Sequence, residues 1–266
     1  MVTTSRKAAF VRRPSPRLAE GLVTHIERSD EVDAELALAQ WRGYVQALRD
    51  AGYEIFEVEP VPDCPDGVFI EDAMVVVDGL AVITRIGAPT RVPEHPTARA
   101  AAEARGLRVV ELTDAPVDGE IVLDGGDLLK IGRTVYVGVG GRTTEAGAAA
   151  LRHHLATVGR DVVSVPIAKT LHLKSQVTAL PDGTVIGYEP LVDDPGFWPG
   201  FLAVPEAEGA HVVVTGDSAV LMSADAPRTA ALLRQRGLDV ATVPISEFEK
   251  LEGCVTCLSV RLHDAD

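Results

Sequence analysis

The residues best suited to chemistry occupy equivalent positions, just before short β-rich runs. Asp72, Asp124 and His172 each come directly before a predicted hairpin, and Cys257 lies at the start of the last β-rich run. A cysteine can act as a nucleophile, a histidine can move protons, and carboxylates can orient either group or a cationic substrate. If folding brings these positions together, the set predicts thiol catalysis in one central pocket.

A unit of helix, strand, short loop and hairpin recurs along the chain, with a period of about 35–55 residues that is typical of repeat architectures. Four tight turns mark the predicted hairpins: Asp78-Gly79, Gly132-Arg133, Pro181–Gly183 and Gly216-Asp217. Four helices, each followed by a glycine that can end it, are predicted over Glu31–Ala51, Thr97–Arg105, Thr143–Val158 and Arg228–Arg236. The proline-rich stretch Tyr188–Gly200 predicts no helix, so its unit looks degenerate.

The fifth unit has a single strand near the C terminus, predicted over Val255–Leu262. The N-terminal run Lys7–Val11 could supply its partner, which would close a ring and hide both sheet edges. We therefore predict one catalytic α/β domain over residues 1–266, a five-unit pseudo-symmetric α/β propeller. The ring is expected to be closed, with the N- and C-terminal strands in one unit. An open α/β sandwich with incidental periodicity is the alternative.

Cys254 and Cys257 have the spacing of a redox pair or of half a zinc site. Redox Cys-X-X-Cys pairs favour a helix N terminus, whereas this pair enters a β-rich run in which positions three apart point to opposite faces. A zinc site needs four ligands, and the sequence has neither a second Cys-X-X-Cys nor a spaced histidine pair. The prediction is therefore no metal and no cofactor.

The composition narrows the class of partner. The 266 residues include 25 basic and 39 acidic side chains, for a formal charge of −14. This balance argues against nucleic acid and anionic membrane surfaces, but suits a cationic small molecule. No run of 18 apolar residues predicts a membrane span, and three cysteines without a secretory signal predict a cytoplasmic protein. A homodimer is left open.

Seven motifs, taken in order along nearly the full length, carry a family resemblance: Pro65–Asp72, Ile83–Ala88, Leu123–Asp127, Gly141–Thr143, Leu171–Ser175, Ser246–Lys250 and Val255–Ser259. With them the chain resembles the dimethylarginine dimethylaminohydrolases of the guanidino-group-modifying pentein superfamily. The resemblance implies a five-unit α/β propeller. It also implies hydrolysis of Nω-methylated L-arginine to L-citrulline and dimethylamine or methylamine, through a covalent cysteine thiouronium intermediate.

The resemblance further implies a role for each matched residue. Cys257 looks like the nucleophile, His172 like the general acid/base, and Asp124 like the carboxylate beside that histidine. The other matched positions bind the substrate: Glu71 and Asp72 near the guanidinium, Arg85 and Arg142 at the carboxylate, Asp66 near the α-amino group, Leu18 in a lid loop and Leu251 through its backbone. A clamp for both ends of an amino-acid zwitterion predicts that agmatine, which lacks the carboxylate, is a poor substrate.

Two other functions stay open at this point. An arginine deiminase-like hydrolase would release ammonia from unmethylated arginine, and a non-catalytic pentein module would only bind its partner. The chain also departs from the family before the fourth hairpin, where Glu208–His211 replaces the usual Ala-Ala-Asn-Cys type of segment. His211 is expected either to begin the strand or to reach the pocket rim.

Overall fold

The structure of the protein is a computed structural model that describes residues 7–27 and 31–262. Within these ranges the chain forms strands β1 (Ala8–Arg12), β2 (Glu54–Val58), β3 (Met74–Val77), β4 (Leu80–Ile83), β5 (Arg108–Glu111), β6 (Leu128–Ile131), β7 (Thr134–Val139), β8 (Asp161–Pro166), β9 (Val177–Ala179), β10 (Val185–Gly187), β11 (Leu202–Ala203), β12 (Val212–Gly216), β13 (Ala219–Ser223), β14 (Asp239–Val243) and β15 (Val260–Leu262). The α-helices are α1 (Ala34–Asp50), α2 (Glu94–Ala104), α3 (Glu145–Ala156), α4 (Leu173–Gln176), α5 (Pro227–Gln235) and α6 (Ser246–Glu249).

The strands form five three-stranded sheets, in the orders β15-β1-β2, β3-β4-β5, β6-β7-β8, β9-β10-β11 and β12-β13-β14. Each sheet joins one antiparallel pair to one parallel pair. A parallel pair needs a crossover connection, and α1, α2, α3 and α5 lie in four of the five crossovers. The strands after α2, α3 and α5 therefore pair with the preceding hairpin, and the strand after α1 pairs with β1.

The remaining crossover, between β10 and β11, contains only two short 3₁₀ turns, Glu189–Leu191 and Pro195–Phe197. The prediction of no helix over Tyr188–Gly200 is therefore confirmed. All four predicted hairpins form. The four glycines predicted to end helices have positive φ angles between 71° and 88°, which a residue without a Cβ adopts at little cost: Gly52, Gly106, Gly159 and Gly237.

Several predicted elements have slightly different bounds in the structure, and two of these differences have a clear local cause. Helix α2 begins at Glu94 rather than Thr97, because Pro96 lies in the first helical turn, where a missing backbone N–H costs no hydrogen bond. The last strand covers only Val260–Leu262, because a turn closed by a bond from Cys257 N to Cys254 O (3.1 Å) replaces its predicted beginning.

The N- and C-terminal strands share one sheet, as predicted, since β1 pairs antiparallel with β15 through Phe10 and Val260. Among the described residues, the strand pairs stay within the five sheets, and an isolated bridge joins Arg85 to Leu123 between two units. The structure thus supports a five-sheet α/β architecture without a continuous closed sheet. No helix in the described ranges is long and apolar enough to span a membrane.

A cavity of about 610 Å³ shows how the five sheets are arranged. One strand from each sheet contributes to its wall, namely β3, β6, β9, β12 and β15. Helices pack against the sheets; for the first sheet, Trp41, Tyr44 and Leu48 of α1 lie in one hydrophobic cluster with Ala9 and Val11 of β1. The loops that precede the five cavity-lining strands are therefore brought around a common centre.

Candidate active site

Four of those loops, the ones before β3, β6, β9 and β15, contribute to the wall of a second, smaller cavity. It is lined by Leu22, Asp66, Phe69, Asp72, Arg91, Asp124, Arg142, Leu171, His172, Leu251, Glu252, Gly253 and Cys257. Seven of the ten predicted site residues are in this set: Cys257, His172, Asp124, Asp66, Asp72, Arg142 and Leu251. The nucleophile candidate from the C-terminal turn thus shares a cavity with the imidazole contributed from the middle of the chain.

His172 lies between two carboxylates. Its Nε2 is 3.2 Å from Asp124 Oδ2 and 4.0 Å from Asp72 Oδ1. All three side chains are nearly inaccessible to solvent. Burial opposes protonation of the ring, but these carboxylates together with that of Asp127 outweigh it and raise the pKa of His172 to about 9. His172 is therefore protonated at neutral pH and can donate a proton to a leaving amine.

The loop Gly125–Asp127 fixes the position of His172. A Cβ on Gly126 would lie 2.4 Å from His172 Nδ1, so only glycine permits this close approach. The Gly126 backbone N–H donates to Asp72 Oδ1 at 2.9 Å. Asp127 accepts from the backbone N–H of Leu173 (2.9 Å) and from the hydroxyl of Thr143 (2.6 Å). The Asp-Gly-Gly-Asp motif consequently holds the segment that carries the histidine.

Asp127 is buried, and this burial raises the pKa of its carboxyl to about 6. Asp72 responds differently, although it is buried as well. The positive charges of His172 and Arg91 lower the pKa of Asp72 despite its desolvation. Arg91 Nη1 donates to Asp72 Oδ2 at 2.6 Å. Asp72 is therefore the ionised carboxylate of the cavity wall, available to a bound cation.

A rigid turn carries Cys257. The Tyr44 hydroxyl on α1 donates to Val255 O at 2.8 Å. Arg261 Nη1 donates to Thr256 O at 3.3 Å and to Ser259 O at 3.1 Å. The Glu71 backbone N–H donates to Cys257 O at 3.3 Å. These bonds satisfy the carbonyl groups of the turn and fix the sulfur at the cavity wall.

The turn places the two cysteines together, contrary to the expectation of opposite faces. Cys254 Sγ and Cys257 Sγ are 3.4 Å apart, and Cys254 Sγ is 3.2 Å from Thr256 Oγ1. The expectation assumed extended backbone here, whereas residues 254–257 turn. The hydrogen bond between the two thiols, the burial of Cys257, and the charges of Glu71 and Asp72 all raise the pKa of Cys257. These influences favour the thiol form of Cys257.

Three predicted residues do not line this cavity. Leu18 is fully buried in the hydrophobic core. Glu71 lines the larger cavity, where its Oε1 bonds to Lys174 and lies 3.4 Å from Arg261 Nη2, while Oε2 has no hydrogen-bond partner among the described residues. Arg85 is exposed, because the preceding Thr84 faces inward and donates its hydroxyl to Asp72 O.

Sequence reasoning missed Leu22 and Arg91. The Leu22 backbone N–H donates to Asp66 Oδ1 at 3.0 Å, which ties this loop to the cavity. Arg91 bonds to Asp72 and, through Nε and Nη2, to both oxygens of Glu94 at 2.7 and 3.0 Å. Strand alternation beyond β4 could have excluded Arg85, but nothing in the local sequence distinguishes Arg91 from a surface arginine.

His211 begins the fourth hairpin rather than lining the cavity. It directly precedes β12, and its Nε2 is 3.2 Å from Ser175 O. Of the described residues, no group of three or more His, Cys, Asp and Glu side chains is arranged to hold a metal ion. The chemical groups at the site are therefore a thiol, an imidazolium, carboxylates and two arginines.

Comparisons with known proteins agree with this geometry. The arginine deiminase family model matches residues 36–197. A dimethylarginine dimethylaminohydrolase of Streptomyces coelicolor is 56% identical over 97% of this chain and 98% of its own length. The enzyme of that name from Pseudomonas aeruginosa is 30% identical over 96% and 99% of the two chains.

A solved structure of the Pseudomonas aeruginosa enzyme, a cysteine-to-serine mutant complexed with citrulline, matches with a TM-score of 0.87. It is 28% identical, and the match covers 97% of this chain and 99% of the other. A second structure, a dimethylarginine dimethylaminohydrolase adduct with S-methyl-L-thiocitrulline, also has a TM-score of 0.87 at 27% identity, over 97% and 100% of the two chains. With its thiol, imidazole and carboxylates in one cavity and relatives matched along almost their whole length, this chain belongs to the dimethylarginine dimethylaminohydrolase family.

Proposed function

We propose that the protein hydrolyses Nω-methylated L-arginine to L-citrulline and dimethylamine or methylamine. The observation that carries the proposal is the shared cavity of Cys257, His172, Asp72 and Asp124. A guanidinium resists nucleophiles because its charge is delocalised, so hydrolysis needs a strong nucleophile, an acid for the leaving amine and anions that hold the cation. This cavity contains all three kinds of group.

The reaction begins when the substrate guanidinium enters between Asp72 and Asp124. The hydrogen bond with Cys254, burial and the nearby negative charges raise the pKa of Cys257; the positive charge of the substrate opposes them, so the thiol releases its proton to solvent water as the substrate binds. The thiolate attacks the central guanidinium carbon and forms a tetrahedral adduct. His172, protonated at neutral pH, gives its proton to the departing dimethylamine or methylamine.

Loss of the amine leaves a thiouronium linked to Cys257. The now neutral His172 takes a proton from water, and the resulting hydroxide attacks the same carbon. Collapse of the second tetrahedral adduct breaks the carbon–sulfur bond, the hydroxyl proton passes to the departing Cys257 thiolate, and citrulline is released. The residues of this chain are sufficient for each step, so the proposed mechanism uses no metal and no cofactor.

The far end of the substrate is an amino-acid zwitterion in this proposal. Asp66 lines the cavity as a carboxylate that can accept from the α-ammonium group. Arg91 and Arg142 line the same cavity, so this pair replaces Arg85 and Arg142 as the proposed partners of the α-carboxylate. Leu22 and Leu251 lie at the wall and can contact the substrate through their backbones.

The fold prediction extends in the same way. We propose that the five sheets form a closed pseudo-symmetric ring within one catalytic domain over residues 1–266. Support comes from the cavity that one strand of each sheet lines and from the shared sheet of β1 and β15. Because the strand pairs stay within the sheets, side-chain packing would close this ring. A single cooperative unfolding transition is the expected result, and two separated transitions would contradict it.

One assay tests the activity. Asymmetric dimethylarginine, monomethylarginine, arginine and agmatine are compared as substrates, with citrulline and the released amine measured separately. The methylated arginines should have the highest kcat/KM, and agmatine should be poor. A higher kcat/KM for arginine would assign the chain to arginine deiminase chemistry, in line with the family model. No turnover, together with no labelling of Cys257 by a chloroacetamidine, would favour the binding module.

A further inference from the structure

We propose that Cys254 and Cys257 form an intramolecular disulfide when the protein reacts with a hydroperoxide. The turn Cys254–Cys257 is then a site of oxidative modification. The proposal starts from the 3.4 Å contact between the two sulfur atoms. Its chemistry depends only on the two thiols, whereas its consequence, reversible loss of turnover, rests on the proposed function of Cys257.

The backbone already has the geometry that a disulfide needs. The bond from Cys257 N to Cys254 O makes the segment a tight turn, whose end Cα atoms lie within about 7 Å of each other. That separation falls within the range that disulfides span. The sulfur atoms must approach by roughly 1.4 Å from their 3.4 Å contact to reach bonding distance, which side-chain rotation can supply.

The surroundings decide which sulfur meets the oxidant first. Cys257 lines the smaller cavity, whereas Cys254 does not and is buried behind it. A small peroxide that enters the cavity therefore reaches Cys257, and the second sulfur is already in contact with the first. Cys64, also a free thiol, bonds to Thr90 O elsewhere in the chain. Only one pair among the three cysteines is in contact in the described residues.

The thiol pair also supports ionisation. The hydrogen bond between the two thiols, the charge of His211 and the Thr256 hydroxyl lower the pKa of Cys254 despite its burial. The pair therefore ionises more readily at Cys254, and proton transfer across the 3.4 Å contact makes Cys257 the thiolate. Thiolate character and a neighbouring resolving thiol are the features of cysteines that oxidise reversibly.

The chemistry balances in two steps. The Cys257 sulfur, after its proton is lost, attacks the peroxide O–O bond, which gives a sulfenic acid and releases water once that proton reaches the leaving oxygen. The Cys254 sulfur then attacks the sulfenic sulfur, forms the S–S bond and releases a second water molecule with the hydroxyl group and its own proton. The two sulfurs are oxidised and hydrogen peroxide is reduced to two waters.

The disulfide would occupy the nucleophile and stop turnover. It would also prevent further oxidation of Cys257 to a sulfinic or sulfonic acid, forms that thiols do not reduce. A dithiol reductant attacks the S–S bond and returns both cysteines, with its own oxidation to a cyclic disulfide. The expected behaviour is therefore an inactivation that a reductant reverses almost completely.

The test exposes the purified protein to hydrogen peroxide, alkylates remaining thiols under denaturing conditions, and measures the intact mass and the peptide map. The three free thiols should fall to one, with Cys254 and Cys257 recovered as a single linked peptide pair. Cys64→Ser is the matched control, and it should form the same linked pair. Citrulline production should fall with the linked fraction and return after dithiothreitol.

Cys254→Ser separates a resolving thiol from simple oxidation of the nucleophile. In this variant a dimedone probe should label Cys257, and longer exposure should give sulfinic acid that dithiothreitol does not reverse. The proposal is overturned if oxidised wild type keeps both thiols of the turn, or if Cys257 becomes a dimedone adduct while Cys254 stays free. Both outcomes are read by mass, so they are independent of whether the protein hydrolyses methylarginine.

Discussion

The two cavities are built from the same five sheets but differ in their chemistry. The larger one is lined mainly by strand residues, among them Met74, Val75 and Leu129, with a few charged side chains such as Lys130. The smaller one is lined by the loops before four of those strands and collects the thiol, the imidazole and the carboxylates. The larger space is thus a consequence of the sheet arrangement, and the smaller one is where reactive groups meet.

A thin layer separates the two cavities. Glu71 lines the larger one while its neighbour Asp72 lines the smaller one, and the same holds for Thr256 and Cys257. Lys174 also lines the larger cavity and forms an ion pair with Glu71. Strand residues must alternate and pack, so they are restricted to mostly apolar types. Loop residues carry no such restriction, which is why the reactive groups lie on loops positioned by rigid sheets.

The largest expected effect is on activity, and it distinguishes the smaller cavity from the larger one. Cys257→Ser removes the nucleophile of the smaller cavity and should reduce citrulline production from asymmetric dimethylarginine by more than ~10³-fold. Its circular dichroism spectrum should match that of the wild type. Lys130→Ala, in the larger cavity, is the matched control and should stay within about twofold of wild type. Equal losses in both variants would mean that the smaller cavity is not the reaction site.

His172→Ala tests the acid and base within the smaller cavity. Its kcat should fall at least ~10²-fold, since the leaving amine then departs without a proton donor. The pH profile of kcat gives a second reading, because wild-type activity should decrease as the pH rises towards 9 and His172 loses its proton. If the variant keeps the wild-type kcat and the same decrease in activity at alkaline pH, His172 has no role in the proposed mechanism.

The stability of the fold should depend on the same histidine. The pKa of His172 is raised from 6.5 to about 9, so the folded state binds the proton more tightly than the unfolded state does. The resulting stabilisation, about 3 kcal/mol, is fully present below pH 6.5 and is lost as the pH rises through about 9.

Urea unfolding of wild type and His172→Gln at both ends of this range measures the effect. The stability advantage of the wild type should shrink by about 3 kcal/mol between the acidic and the alkaline condition. If the difference in unfolding free energy between the two proteins does not change with pH, the pKa of His172 is not raised in the folded state.

The smallest effect concerns substrate binding. Arg142→Ala should raise KM about tenfold with little change in kcat, because it removes an interaction made equally in the ground and transition states. Arg85→Ala is the matched control: Arg85 is exposed and outside the cavity lining, so its KM should stay at the wild-type value. The reverse pattern would restore Arg85 as the carboxylate partner and would require a different bound geometry.

Local sequence predicted much of the fold because hairpins and helix ends depend on near neighbours. The Asp78-Gly79 turn and the glycine after α1 follow from backbone preferences that a few residues determine. The predicted start of α2, at Thr97, was late, because the helix begins at Glu94 and includes Pro96 in its first turn. The last strand was predicted to begin at Val255 but begins at Val260, because Cys254–Cys257 has a β-rich composition but forms a turn.

The candidate site divides in a similar way. Cys257, His172 and Asp124 could be selected because their residue types and their position before strands are visible in the chain. The predicted Leu18 and Arg85 do not line the smaller cavity, whereas Leu22 and Arg91 do. Which residues of the loops after β1 and β4 reach the cavity depends on how those loops pack against distant segments. The local sequence does not determine this packing.

By itself, the sequence determined the repeat, the kinds of reactive group and their places before the strands, because these depend on residue identity and short-range backbone preference. Tertiary structure alone decided which arginine reaches the cavity, that Glu71 and Asp72 face different spaces, and that the sulfur atoms of Cys254 and Cys257 touch. The physical reason is that burial, charge pairing and pKa depend on atoms brought together from remote parts of the chain.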